Sequence, residues 1–464
     1  MNLKKKIYYL IPLVIIIYVL ISLTLGSELL HPLKNIVTNE TKNSIKKLIF
    51  PYKYIKEQEK AINKYIKGQD ESFYSLQDSV LQSDYNIKDN LNELHFKKTK
   101  SSVLNNKIFE IYSPILNRIS KGVDRTTPGS GFIESYNDKL FLLSSIGIFA
   151  YADNIEEKLI FKQIRNNIED FVNEQQFRVE GDLSIKDLKI IKDKVFLSYT
   201  NEVKSGCWNM SILVADLNYE ELKFKELFNP KNEFVCQRVK ENLNEFEGFQ
   251  TGGRIIEYKE DKILFSTGEY RARHLAQDPN SMFGKILEID INKKNEYKII
   301  SMGHRNPQGL LYDKENNFLI STEHGPKGGC EINLIDLSNN FTIPNYGWPI
   351  AAYGIHYGEP NAKKTLLKKK KYPLLDSHKD NGFIEPLKYF TPSIGPSEIV
   401  KIGKLKYLLA TLKEKSLFFI ELDSSKQIIN FEKFLVGERI RDLQYKDSII
   451  YMFMETSGSI GILK

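Results

Sequence analysis

Six times along the chain a polar turn gives way to a run of β-branched, aliphatic and aromatic residues. The runs are "YNDKLFLLS" from Tyr136, "IKDKVFLSY" from Ile191, "YKEDKILFST" from Tyr258, "DKENNFLIST" from Asp313, "KIGKLKYLLAT" from Lys401 and "YKDSIIYMFM" from Tyr445. Each predicts a strand entered from a tight turn, and several are followed by a second apolar run such as "SILVADL" or "SLFFIEL". Helical spacing is nearly absent between them. Six irregularly spaced units of this kind predict an all-β chain organised as a radial repeat, a six-bladed β-propeller, because radial repetition protects sheet edges. A pair of β-sandwiches is the rival, and the number of units favours the propeller. In a propeller the loops of one face converge on a central channel, so polar clusters far apart in sequence can share one pocket.

The first hundred residues have another character. Residues 7–25 carry no charge and follow Lys4, Lys5 and Lys6. As a helix they would span roughly 28 Å at about 1.5 Å per residue, close to a bilayer core. An N-terminal transmembrane helix is expected, with the lysines on the cytoplasmic side. A cleaved signal segment is the alternative, with "TLGS" as a weak cleavage site. Either way, the bulk of the chain is expected to be periplasmic or extracellular. Residues 28–105 are rich in Lys, Glu and Asn and have helical spacing interrupted by Pro51, as in a helical extension or stalk. The expected order is thus a membrane anchor or signal over 1–27, an extension over 28–105 and a propeller over 106–464.

Charge and cysteine content change this picture little. The 464 residues carry a net charge of +7, and the one dense basic run, "KKTLLKKKK", reads as a solvated loop. No aromatic residues interleave it, so nucleic-acid binding is not expected. Cys207, Cys236 and Cys330 have no metal-ligand spacing. Cys207 and Cys236 either pair in an exported domain or remain separate thiols in strands.

Chemistry concentrates in the second half. "GHRNPQG" places Arg305, Asn306 and Gln308 in one Gly/Pro turn, a planar guanidinium beside two amides that suits a flat, carboxylated, quinone-like ligand. "GERIRDL" places Arg439 and Arg441 two apart, on one face of a strand, where they need an anion between them or are solvated at the surface. "LATLKEKS" offers Lys413 at a strand end. "EHGPKGG" offers the Gly325 and Pro326 carbonyls as oxygen ligands for a hard cation such as Ca²⁺.

The ordered segments "GHRNPQGL", "STEHGPKGGCEINLI", "NYGWPIAAYG", "FTPSIGPSEI" and "ERIRDL" resemble the quinoprotein glucose/sorbosone dehydrogenases, soluble aldose sugar dehydrogenases that use pyrroloquinoline quinone (PQQ) and calcium. The resemblance spans roughly residues 249–464. It implies a six-bladed propeller with PQQ at the channel mouth and a small sugar as substrate. It implies that Arg305 and Asn306 border the cofactor and the reacting centre. Lys413, Arg439 and Arg441 would hold PQQ carboxylates and quinone oxygens, and Gly325 and Pro326 would ligate Ca²⁺.

One departure bears on catalysis. The family pattern has a catalytic His four residues before an Arg, with an acidic residue nineteen after that His. Here the Arg is Arg254, Gln250 stands in the His position, and Glu269 is the acidic residue. An amide has no titratable site near neutral pH and cannot serve as a general base. His274 lies five residues beyond Glu269 and could reach the mouth, although His274, His304 and His324 are each expected in structural hydrogen-bonding roles. Cys330 stands where the family commonly has Asp. Two readings follow: a quinoprotein sugar dehydrogenase with reduced activity, or a non-catalytic extracytoplasmic propeller that binds a sugar or a protein partner.

Overall fold

The computed structural model describes residues 93–464, apart from 116–130, 146, 154–157, 173–183, 238–245, 247, 249 and 339–341. The expected membrane segment and most of the expected helical extension lie outside the described residues. Among those described, no helix is long and apolar enough to cross a membrane.

Each of the six sequence units is the hairpin between the first and second strands of a four-stranded antiparallel group. The first strands are Gly131–Tyr136, Ile185–Ile191, Gly252–Glu257, Pro307–Asp313, Pro396–Gly403 and Ile440–Lys446. They touch one another in cyclic order and close a ring of six blades. The hairpin turns explain the polar residues between the runs. Lys192 and Asp193 are both left-handed, with φ of 48° and 57°, and so are Asp447 and Ser448 at 51° and 66°. Two consecutive positive φ values twist a two-residue turn to match its strands, and Asp193 and Asp447 are of the short polar kind that tolerates that conformation best.

The ring is closed by strands from opposite ends of the described chain. Lys107–Pro114 pairs with Ser459–Leu463, setting Phe109 against Leu463 and Tyr112 against Ile460. Glu93–Leu104 then pairs with both Lys107–Pro114 and Lys158–Asn166, so the first and last blades share one ten-stranded sheet. That strand lies ahead of residue 106, within the stretch expected to be helical, so the β structure starts earlier than expected. Lys363–Lys371 also differs from its expectation. It is an α-helix rather than a loop, with Thr365 and Lys368 buried one turn apart beneath otherwise solvated lysines.

Because each blade buries both faces, its strands are apolar in continuous runs and there is no single core. Six separate clusters fill the six interfaces between blades. Phe141 and Phe149 meet Leu197 and Leu213 between the first two blades, for example, and Leu264 and Ile286 meet Leu310 and Leu319 between the third and fourth. The axis is polar instead. Arg254 lies there, its Nη1 2.5 Å from Asp187 and 3.0 Å from Asp442, its Nε 2.6 Å from Glu398. Beyond this hub, toward the C-terminal ends of the first strands, a cavity of about 290 Å³ is lined by Glu134, Lys189, Glu398, Lys401 and Tyr445. Both of its lysines are paired: Lys189 lies 2.8 Å from Glu134, and Lys401 2.9 Å from Asp313.

Candidate functional site

The residues singled out from sequence lie at the other end of the channel, where the first strands begin. The approach to the third blade, "QTGGR", requires glycine. Gly252 and Gly253 have φ of 64° and 116°, and a Cβ on Gly253 would sit 2.4 Å from Lys186. Gly268 has no room for a side chain either, since its Cβ would fall 2.3 Å from the Gln250 carbonyl. The two segments are tied by Tyr270 N–H donating to the Gln250 carbonyl at 2.9 Å and Gly268 N–H donating to that of Thr251 at 2.6 Å. This contact brings Gln250 and Glu269 side by side at the mouth. Tyr270 and Arg271 then turn left-handed, at φ of 49° and 64°, a conformation that costs L-residues energy and needs an anchor. The anchor is the fully buried Tyr270 ring, whose hydroxyl donates to the Asn209 carbonyl at 2.9 Å.

Gln250 is 1% exposed and Glu269 0%. Neither end of the Gln250 amide has a hydrogen-bond partner among the described residues, and neither Glu269 oxygen makes a fully formed hydrogen bond. Buried polar atoms are normally satisfied, so two adjacent unsatisfied side chains mark a place where polar atoms of another molecule would fit. Burial pushes the Glu269 carboxyl up to about 7, against the pull of the Arg305, Arg273 and Arg271 guanidiniums and the nearby Arg271 N–H.

Arg305 is buried. Its Nη1 donates to the His324 carbonyl at 2.8 Å, its backbone N–H donates to Glu323 at 2.7 Å, and its guanidinium lies 5.3 Å from the Trp348 ring centre. Asn306 accepts from Gly252 N–H at 3.0 Å and from the Gln308 amide at 3.1 Å. Gln308 in turn accepts from Arg441 at 2.9 Å. One hydrogen-bonded chain therefore runs from the sixth blade to the third, and it brings Arg441, Asn306 and the Gln250 segment together. Lys413 is held through its backbone, which donates to the Ile394 carbonyl at 3.1 Å, while its side chain is exposed and makes none of these contacts. Gly325 and Pro326 follow His324 directly, and among the described residues neither carbonyl accepts a hydrogen bond.

The anion required between Arg439 and Arg441 proves to be part of the chain. Glu455, almost fully buried, sits 2.6 Å from Arg439 Nε and accepts from Arg441 Nε at 2.7 Å. Despite burial, which works the other way, the two guanidiniums hold its carboxyl below the usual range. Two of the three histidines have structural partners. His304 bridges Ser301 at 2.8 Å and Glu323 at 3.0 Å. His324 meets the Pro396 carbonyl at 2.7 Å, and burial, reinforced by Arg441, lowers its pKa to about 4. His274 is half-buried, and its Nδ1 has no hydrogen-bond partner among the described residues. Cys207 and Cys236 form a disulfide, and Cys330 is a buried free thiol.

Sequence reasoning missed Arg271, Arg273 and Trp348. Arg273 lies over both Trp348, at 5.9 Å, and Tyr372, at 5.7 Å, so Trp348 faces two guanidiniums. The signal was available: Arg271 and Arg273 repeat the spacing of Arg439 and Arg441, and "NYGWP" opens one of the segments that carry the family resemblance.

Comparisons with known proteins bear on this arrangement. The chain is 28% identical over 232 residues to the aldose sugar dehydrogenase YliI of Escherichia coli (strain K12), a match covering 46% of this chain and 59% of that one. The chain thus spans little more than half the length of the curated relatives it matches. In three dimensions it resembles the apo-form of the soluble aldose sugar dehydrogenase of Escherichia coli, with a TM-score of 0.56 at 19% identity over 77% of this chain and 99% of that one. It also resembles the PQQ-bound aldose sugar dehydrogenase of Streptomyces coelicolor, with a TM-score of 0.52 at 17% identity over 74% and 96%. At such identities the likeness is one of fold. The Glucose / Sorbosone dehydrogenase family model matches residues 191–463, more than half of the sequence and including every residue of the mouth, and the chain belongs to that family.

Proposed function

We propose that the chain is a PQQ-type aldose dehydrogenase that oxidises a sugar hemiacetal, with activity reduced by Gln250 in the place of the family histidine. The observation that carries this reading is the charge of the mouth. Arg271, Arg273, Arg305, Arg439 and Arg441 gather there, with Lys413 exposed at the same end of the fifth blade, and Glu269 and Glu455 are two of the carboxylates that face them. Several guanidiniums at a partly desolvated mouth suit a polyanionic ligand, and PQQ is a planar tricarboxylate. Lys413, Arg439 and Arg441 would hold its carboxylates, with Arg305 and Asn306 at its edge. Bound there, the ortho-quinone supplies the hydride acceptor. Arg305, locked by His324 and Trp348, would orient the substrate oxygen. Gln250 would hold the substrate by hydrogen bonds without taking its proton.

The Gly325 and Pro326 carbonyls are two neutral oxygen donors, and no group of three acidic, His or Cys side chains with metal-binding geometry exists among the described residues. They suit Ca²⁺ only together with a ligand that brings negative charge of its own. The non-catalytic reading stays in view because the amide at position 250 removes the usual base, a loss on the order of 10²–10⁴ in rate.

Calorimetry with PQQ and Ca²⁺ tests the proposal. Wild type should bind, and Arg439→Ala and Lys413→Ala should each weaken binding about tenfold to a hundredfold, as expected for a lost charge-assisted contact worth about 1.5–3 kcal/mol. No binding by wild type would sink the quinoprotein reading and leave a sugar- or protein-binding propeller. The extracytoplasmic location also belongs to this proposal, and the Cys207–Cys236 disulfide supports it, since such bonds persist in oxidising compartments. Protease added to intact spheroplasts should digest the propeller, and full protection would exclude that location.

A further inference from the structure

The mouth contains a carboxyl group for which the quinoprotein reading has so far no use. Glu269 is fully buried and packed backbone to backbone against the Gln250 segment, and among the described residues neither of its oxygens finds a fully formed hydrogen bond. A carboxylate removed from water usually keeps several donors. Here the groups facing it are the guanidiniums of Arg271, Arg273 and Arg305, with Tyr372 beyond Arg273. The side chain beside it, Gln250, has an unsatisfied amide of its own that can hold a hydroxyl in place.

We propose that Glu269 itself accepts the proton of the sugar C1 hydroxyl, the task that the family pattern gives to a histidine at position 250. The assignment rests on the quinoprotein reading. In this step the C1–H bond breaks and its electron pair passes as hydride to the ortho-quinone acceptor. The O–H bond breaks, its proton goes to a Glu269 oxygen, and the C1 carbonyl forms. The sugar loses two electrons and the quinone gains them. Glu269 suits the task because it combines desolvation with flanking cations: burial alone would keep it protonated, and the three arginines return it to the ionised form near neutrality. His274 is the competing base. Burial and then Lys371 lower its pKa, so it is a weaker acceptor in the neutral range.

The test uses the full chain loaded with PQQ and Ca²⁺, D-glucose as probe and a dye as terminal electron acceptor. Wild-type kcat should rise with pH through a single ionisation near neutrality. Glu269→Gln should lower kcat about a hundredfold or more and flatten that limb. Glu269→Asp should keep the limb, and His274→Gln should leave it unchanged. A second readout needs no cofactor: infrared difference spectra of the apo-protein should contain a carboxyl band that titrates near neutrality, is lost in Glu269→Gln and is kept in His274→Gln. The assignment is overturned if the limb survives in Glu269→Gln, if it vanishes in His274→Gln, if the apo-protein has no such band, or if PQQ binds and D-glucose is not turned over. Absence of PQQ binding by wild type overturns the quinoprotein reading, and the assignment with it; the other outcomes overturn the assignment alone.

Discussion

Arg254→Met should destabilise the protein by about 3–5 kcal/mol at neutral pH, the usual cost of leaving buried charges without their partner. Arg254 touches Asp187 of the second blade, Glu398 of the fifth and Asp442 of the sixth, and its Nε lies 3.1 Å from the Gln308 carbonyl of the fourth. Asp442 also accepts from Ile133 N–H of the first blade at 2.8 Å. With Arg254 on the third blade, one guanidinium links all six blades. Although burial opposes its charge, the three carboxylates hold the Arg254 pKa above its ordinary value. One guanidinium cannot fully offset three acids. Burial therefore keeps the Asp187 and Glu398 carboxyls raised despite the ion pairs.

Those raised values give the pH dependence. Without the guanidinium the folded-state values rise further, while the unfolded carboxyls stay near about 4. Below that pH both states are protonated and the variant should lose little through charge. As pH rises toward the folded values, the unfolded state ionises first and is favoured. Urea midpoints for wild type and variant should therefore lie closer together at pH 5 than at pH 8. An equal separation at both would mean that lost packing, not charge, governs the hub.

The hairpins were legible because their chemistry is local. A left-handed polar pair and the apolar run after it announce a strand whatever the rest of the fold does. Glu93–Leu104 was not legible, since its residues beyond the first four are mostly exposed and mostly Lys, Ser or Thr, and it becomes a strand only because two edges wait for it. The helix Lys363–Lys371 was obscured by its own lysines, which mask the burial of Thr365 and Lys368.

At the site, motif order pointed to Gln250, Glu269, Arg305, Asn306 and Arg441, which the structure places in one connected region. The partners that settle their electrostatics were harder to see. Glu455 could have been found in part by register: Ile440 pairs with Met454, so the residue after Met454 falls opposite Arg439 across the hairpin, and the register shift beside Ile440 brings Arg441 to the same carboxylate. No register predicts that Arg254 meets Asp187, Glu398 and Asp442, because those contacts exist only once the ring closes.

Glu269→Gln should make the protein more stable at alkaline pH while removing its proposed role. The carboxyl is held at about 7 against an ordinary 4.5, chiefly by burial. A raised folded-state value means that the native state favours the protonated form. Its contribution to stability is complete below about pH 4.5 and is lost as pH rises through about 7. A glutamine has nearly the same shape as the protonated acid and does not ionise. The variant should match wild type near pH 4 and exceed it at pH 8 by about 3 kcal/mol, since each tenfold change in proton affinity corresponds to about 1.4 kcal/mol. Thermal melts across that range are the measurement, and the gap between the two curves should open between pH 5 and 7. Parallel curves would mean that Glu269 ionises as freely in the folded protein as in water. A widening gap would instead identify a residue that destabilises the fold whenever it carries charge, as expected of one retained for chemistry at the mouth.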